Sequence, residues 1–190
     1  MTITPPLTDE QFADLCADQS EGFLEVTREG ELIASPPTYS LTGARNADIL
    51  GQLADWADKD GRGLVTDSSA SFVLPNGARR SADGAWTSRH QLSQLTPAAL
   101  NGNWHLCPAF VLELQCPSEE PTTLRLKMQE WIDNGAQLAW LIDPDTRGVE
   151  IYRPGLPSEL RTDIDSITAE APLEGLVLNL RRVWDPFSKP

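Results

Sequence analysis

Ala109-Phe110-Val111-Leu112-Glu113-Leu114-Gln115-Cys116, closed by Pro117, is an apolar run of strand length interrupted by one carboxylate. Side chains alternate along a strand, so Phe110, Leu112, Leu114 and Cys116 share one face and Val111, Glu113 and Gln115 the other. A carboxylate in the middle of such a strand is costly to bury unless it is paired or bound to a cation. Glu113 therefore has three readings: a solvated acid on an edge strand, the partner of an arginine, or a metal ligand.

Working outward from this strand, residues 119–134 read as a helix with Leu124, Met128, Trp131 and Gly135 on its core face, and Gly135 ends it. Residues 137–142 form a second apolar strand, stopped by Asp143-Pro144, and residues 149–153 pair back across a turn. Upstream, Thr8-Asp9-Glu10-Gln11 is a capping box opening a short helix that buries Phe12, Leu15 and Cys16. Residues 22–34 read as a hairpin turning at Arg28-Glu29-Gly30. Ile49, Leu53, Trp56 and Ala57 give residues 41–59 a helical period, stopped by Asp60-Gly61. Short strands are expected at 63–66 and 71–74, then a Pro75-Asn76-Gly77 turn and one strand over 79–86. Residues 175–184 add a last short strand with packing residues. The fold class is α/β, one domain over residues 1–190, with a mixed central β-sheet flanked by helices, preceded by an N-terminal helix and hairpin.

Composition narrows the function. With 28 acidic against 15 basic residues the formal charge is −13, which repels nucleic acid at long range. No apolar run approaches the ~20 residues of a membrane span, so no membrane partner is expected. Three cysteines (Cys16, Cys107 and Cys116) with no CxxC pair argue against a disulfide framework and for a reducing cytoplasm. His90 and His105 lack neighbours at zinc-ligand spacing, and neither a Gly-rich phosphate loop nor a nucleophile elbow is present.

Two further residues draw attention. Asp83 lies in the strand-like Arg80-Ser81-Ala82-Asp83-Gly84-Ala85-Trp86, either as a turn residue before glycine or as a ligand. With Glu113 on a neighbouring strand it would offer hard oxygens to Mg²⁺. Lys127 flanks the apolar stripe of the helix after the Glu113 strand; it either covers the core or reaches the strand end.

The ordered set Glu29-Gly30-Glu31-Leu32-Ile33, Ser35-Pro36, Ser81-Ala82-Asp83, Val111-Leu112-Glu113-Leu114, Pro117-Ser118, Lys127-Met128, Asn134-Gly135-Ala136, Trp140-Leu141-Ile142-Asp143-Pro144 and Ile151-Tyr152-Arg153-Pro154-Gly155 resembles the Uma-two family. These are restriction endonucleases of the PD-(D/E)XK superfamily, and the likeness runs from about residue 8 to residue 184. It implies a restriction-endonuclease-like core, with Asp83 and Glu113 as metal-binding acids and Lys127 as the catalytic lysine. That lysine usually sits two residues after the acid, where this chain has Gln115, left to orient a water or phosphate oxygen. Glu31 and Asn46 match positions of the family's N-terminal hairpin and first long helix, either as residues that line the site or as an exposed hairpin acid and a solvated helix amide. Ala82 replaces the proline that normally precedes the first acid.

The function implied is Mg²⁺-dependent hydrolysis of DNA phosphodiester bonds, with Mn²⁺ as a substitute. Arg79, Arg80, Arg89 and Arg125 would form a small positive mouth, and a homodimer would pair two such sites for two strands. The alternatives are a non-catalytic acidic interaction protein that retains the fold and an enzyme acting on a small phosphodiester or on RNA.

Overall fold

The computed structural model describes residues 7–18 and 22–188. In chain order the elements are α1 (Asp9–Asp18), β1 (Phe23–Val26), β2 (Leu32–Ser35), α2 (Ser40–Asp60), β3 (Gly63–Asp67), β4 (Phe72–Val73), β5 (Arg79–Arg80), β6 (Gly84–Ser88), α3 (Arg89–Leu92), α4 (Pro97–Leu100) and β7 (Phe110–Leu114). There follow α5 (Pro121–Asp133), β8 (Leu138–Asp143), β9 (Gly148–Tyr152), β10 (Glu159–Thr162), β11 (Ser166–Thr168), β12 (Val177–Asn179) and α6 (Arg181–Trp184).

The main sheet has six strands in the order β10-β9-β8-β7-β6-β3. Only β7 and β8 run parallel, because α5 carries the chain back between them. All five residues of β7 are buried, as expected for a strand with neighbours on both sides. One face of the sheet carries Phe110, Leu112, Leu114, Trp140 and Ile142 and is covered by Ile49, Leu53 and Ala57 of α2 and by the C-terminal segment. The other carries Val111, Ala139 and Leu141 beneath Leu124, Met128, Trp131 and Ile132 of α5.

The start signals hold at atomic level. The Thr8 N–H donates to Gln11 Oε1 at 3.0 Å and the Gln11 N–H to Thr8 Oγ1 at 3.2 Å, closing the capping box of α1. Gly61 ends α2 in the left-handed region at φ 69, its N–H on the Ala57 carbonyl at 2.8 Å. At the β8–β9 turn Asp143 accepts from Asp145, Thr146 and the Thr146 hydroxyl, so its carboxylate caps the turn.

The sequence suggested one strand over 79–86, and here the structure differs. β5 belongs to a separate four-stranded sheet, β2-β1-β5-β4, while β6 belongs to the main sheet. Residues 81–83 cross from one to the other. Gly84 follows because a Cβ there would meet Leu50 Cδ2 of α2 at 2.9 Å; the glycine serves close helix packing and makes no turn. The tail holds more than one strand: β11 and β12 form their own two-stranded sheet, followed by α6, and β10 adds an outer strand to β9. The strands β10 and β11 are absent from the sequence reading.

Cys16 is exposed, Cys107 and Cys116 are buried, and all three are free thiols. No helix among the described residues is long and apolar enough to cross a membrane.

Candidate active site

A groove of about 920 Å³ runs between the β1–β2 hairpin and α5, and its floor is built where the two sheets meet. Glu113 comes from the middle of β7. Its side chain points to the α5 face, as the alternation of β7 requires, and the residue is only 4% exposed. The register Gly84↔Leu112, carried one residue further, sets Asp83 opposite Glu113. Asp83 Oδ2 accepts the Leu114 N–H at 2.8 Å, which ties the crossing segment to β7.

Lys127 reaches this point from the second turn of α5. Its ammonium lies 3.0 Å from Glu113 Oε1 and 3.0 Å from Glu25 Oε1. The lysine is thus a member of the cluster, and covering the core is only part of what its stem does. Asn46, from the first half of α2, donates to the Asp83 carbonyl at 3.3 Å and lines the groove.

One open reading is decided and two expectations need correction. Glu31 is exposed in the hairpin and does not line the groove; the hairpin acid that does is Glu25. Gln115 turns away: its amide donates to the carbonyls of Cys116 and Glu119, both at 3.1 Å, and so braces the loop between β7 and α5. The positive mouth does not form. Arg79 is buried against Asp9 and over the Phe12 ring, Arg125 pairs with Glu150, and Arg89 is not part of the groove. Arg80 alone joins the cluster, 3.2 Å from Glu25 Oε2 and 2.6 Å from Glu130 Oε2.

Glu25 ties these parts together. Oε1 accepts the Ser81 N–H at 2.9 Å in addition to Lys127, and Oε2 faces Arg80. It therefore anchors both the catalytic-lysine candidate and the segment leading to Asp83. Its signal in sequence was the same as that of Glu113, an acid within the apolar run Phe23-Leu24-Glu25-Val26. Trp131 was also missed: its indole N–H donates to Glu113 Oε1 at 3.2 Å from the core of α5. Nothing in the sequence separates it from an ordinary core tryptophan.

Burial dominates the electrostatics. It pushes the Glu113 carboxyl up to about 8, against the pull of Lys127 and with help from Asp83 and Glu25. Burial also raises Asp83, partly offset by the Leu114 N–H. Glu25 goes the other way: burial would raise it, but Lys127, the Ser81 N–H and Arg80 outweigh that and hold it below the ordinary carboxylate range. Burial alone would lower Lys127; the Glu113 and Glu25 carboxylates overcome it and keep the ammonium charged above its usual range.

These residues fit a divalent cation by their chemistry. Asp83 and Glu113 supply hard oxygens side by side, each with one oxygen left over from its hydrogen bonds. Asn46 Oδ1 is sealed from water without any partner, an acceptor that an ion's hydration shell would satisfy. Among the described residues no three His, Cys, Asp or Glu side chains already converge at ligand spacing. Asp83 and Glu113 would therefore hold the ion together with waters, as Mg²⁺ prefers, and Asn46 would meet one of those waters.

The six-stranded mixed sheet flanked by helices, with its βαβ core, is a fold found in nucleases. A crystal structure at 1.96 Å of a putative nuclease of the DUF820 group from Anabaena variabilis superposes with a TM-score of 0.75. The match covers 94% of this chain and 98% of that one at 18% identity. The chain belongs to the Uma2 family, described as putative restriction endonuclease, whose pattern matches residues 9–181. No curated protein matches.

Proposed function

We propose that this protein is a divalent-metal-dependent nuclease that hydrolyses DNA phosphodiester bonds, with Mg²⁺ as cofactor and Mn²⁺ as substitute. The observation that carries this reading is the convergence, at the junction of two sheets, of Asp83, Glu113 and a buried charged Lys127 whose ammonium is 3.0 Å from Glu113. Asp83 and Glu113 would hold the ion, which supplies Lewis acidity toward the phosphoryl group and a more acidic water. Lys127, kept protonated by its two carboxylates, offers charge to the phosphate oxygens and is not a base in that state. Glu25 keeps Lys127 in place, and Trp131 holds the rotamer of Glu113 by one hydrogen bond. The chain contributes one such site, so cutting both strands of a duplex would take a homodimer. Free thiols suit a reducing cytoplasm.

One observation favours the rival reading of a non-catalytic acidic interaction protein. The groove is lined by eight carboxylates and three cations, and each cation is already ion-paired. Cleavage of plasmid and oligonucleotide DNA with Mg²⁺ and Mn²⁺ separates the two. Nuclease action predicts cleavage, and millimolar metal should raise the melting temperature by linkage. Both effects should vanish in a protein carrying Asp83→Ala and Glu113→Ala. Equal metal stabilisation in that double variant, or no cleavage with either metal, would hand the site to the rival.

A further inference from the structure

Two terms bind nucleic acid to a protein surface. One is the release of counterions when lysines and arginines meet phosphates. The other is stacking of bases on aromatic and apolar side chains, open only to bases that are not already stacked in a duplex. The groove is poor in the first. Arg28 is tied to Glu29, Arg80 to Glu25 and Glu130, and Lys127 to Glu25 and Glu113. Among the described residues the two cations at the floor of the groove are each held by two carboxylates, and Arg28 at its rim is the one exposed cation, too few to track a duplex backbone.

It is better supplied with the second. Phe23 and Glu25 alternate on β1 and so stand on one face of the hairpin, two residues or about 7 Å apart. Ile33 lies directly across from Glu25, and Phe23 across from Ser35, so the same face carries a small apolar platform next to the site. Phe23 is 40% exposed, although it is a large aromatic residue in a strand. On the opposite wall Leu126, beside Lys127, is 68% exposed. Both side chains line the groove that holds Asp83 and Glu113. An apolar rim beside a site that would cleave phosphodiesters offers unstacked bases a surface to rest on.

We infer that the substrate is single-stranded or unpaired DNA, with the base next to the reacting phosphate stacked on Phe23 and flanked by Leu126. The inference rests on the nuclease reading of the same site. A single strand also needs only one site, so the preference does not depend on a dimer. Duplex DNA would bring twice the strands of phosphate to an acidic groove and keep its base faces out of reach.

The test measures binding of fluorescein-labelled oligothymidine and of a duplex of equal length by anisotropy, in low salt with Ca²⁺, alongside Mg²⁺-driven cleavage of both. The single strand should bind and be cut at least tenfold better than the duplex. Phe23→Ala should weaken single-strand binding by roughly tenfold, whereas Phe23→Tyr, which keeps a stacking ring, should hold near wild type. Melting curves of both variants verify that the hairpin remains folded. Equal or better handling of the duplex overturns the inference and leaves the nuclease reading standing. So does a Phe23→Ala protein that is folded yet binds the single strand as wild type does. Failure of both nucleic acids to bind or be cut with any divalent metal overturns the nuclease reading and this inference with it.

Discussion

The two faces of the central sheet are made by the same strands and do different work. Toward α2 and the C-terminal segment, β7 presents Phe110, Leu112 and Leu114 into a core with no charged group among its members. Toward α5 and the hairpin the same strand presents Val111 and Glu113, and above them sit Glu25, Asp83, Arg80 and Lys127. One face is close-packed and chemically inert. The other replaces apolar contacts by buried charges, which rarely gain stability over a packed hydrophobic equivalent. Neighbouring residues of one strand thus separate the function of holding the fold from that of reacting.

The contrast breaks most visibly with two substitutions one residue apart. Leu112→Ala on the inert face should cost about 2–5 kcal/mol of unfolding free energy, because it leaves a cavity in a core that closes poorly. Glu113→Gln keeps the shape and an oxygen for the Trp131 N–H, leaves Lys127 paired with Glu25, and replaces a carboxyl that burial pushes up to about 8, so the metal-free protein near pH 7 should lose little stability. Its stabilisation by metal should disappear. Urea denaturation with and without Mg²⁺ reads both quantities, and a large loss of metal-free stability in Glu113→Gln would show that the charged cluster holds the fold after all.

The elements on both faces were legible in the sequence, because apolar period and stop signals state them directly. Helix α5, strands β7 to β9 and the hairpin lie within a few residues of their sequence bounds. The structure brings Asp83, Glu113, Lys127 and Asn46 together, yet the assembly that does so was not legible. Residues 79–86 read as one strand because period-2 alternation continues through a segment that leaves one sheet for another. No local pattern records that crossing. Glu25 carries the same signal as Glu113, an acid inside an apolar strand, whereas the family resemblance points along the hairpin to Glu31. The expected cationic mouth failed since composition counts arginines without their partners, and Arg79 and Arg125 are committed elsewhere.

Lys127→Met sharpens the comparison on the reactive face itself. Methionine retains the stem's packing on α5 but removes the ammonium, so cleavage should fall by roughly 10²-fold or more. The rise in melting temperature with Mg²⁺ should survive, since the lysine is not a ligand. Cleavage within a few-fold of wild type would reduce Lys127 to a residue that covers the core.

The faces should also differ in their response to pH. Glu113 is raised from an ordinary 4.5 to about 8, so the folded protein binds a proton that the unfolded chain has already lost between those values. The stability due to this proton is therefore complete below about 4.5 and is lost as pH rises through about 8. The slope is at most about 1.4 kcal/mol per pH unit. Metal binding displaces the same proton, so Mg²⁺ affinity should rise over that interval. Glu113→Gln should flatten both trends, while Leu112→Ala should shift the stability curve down and leave its pH slope unchanged. A wild-type protein whose metal-free stability increases between pH 5 and 8 at the site's expense, with Glu113→Gln doing the same, contradicts the assigned direction.

The smallest effect concerns Asn46, which comes from the helix of the inert face but ends in the reactive one. Its amide N–H holds the Asp83 carbonyl, while Oδ1 is buried with no donor. A buried acceptor left unpaired costs about 1–3 kcal/mol, so its retention needs a reason. If Oδ1 serves only as a defect of packing, Asn46→Leu removes that penalty, stabilises the metal-free protein and leaves metal affinity alone. If Oδ1 is kept for the hydration shell of an ion held by Asp83 and Glu113, the same change still relieves the metal-free protein but weakens Mg²⁺ binding, by about tenfold. Asn46→Asp, which adds charge at the same oxygen, should then bind Mg²⁺ more tightly and be less stable without it. Titration calorimetry with Mg²⁺ and Mn²⁺ on the three proteins distinguishes these cases without any substrate. Unchanged affinity in both variants would place Asn46 with the inert face, as a support for the Asp83 backbone and nothing more.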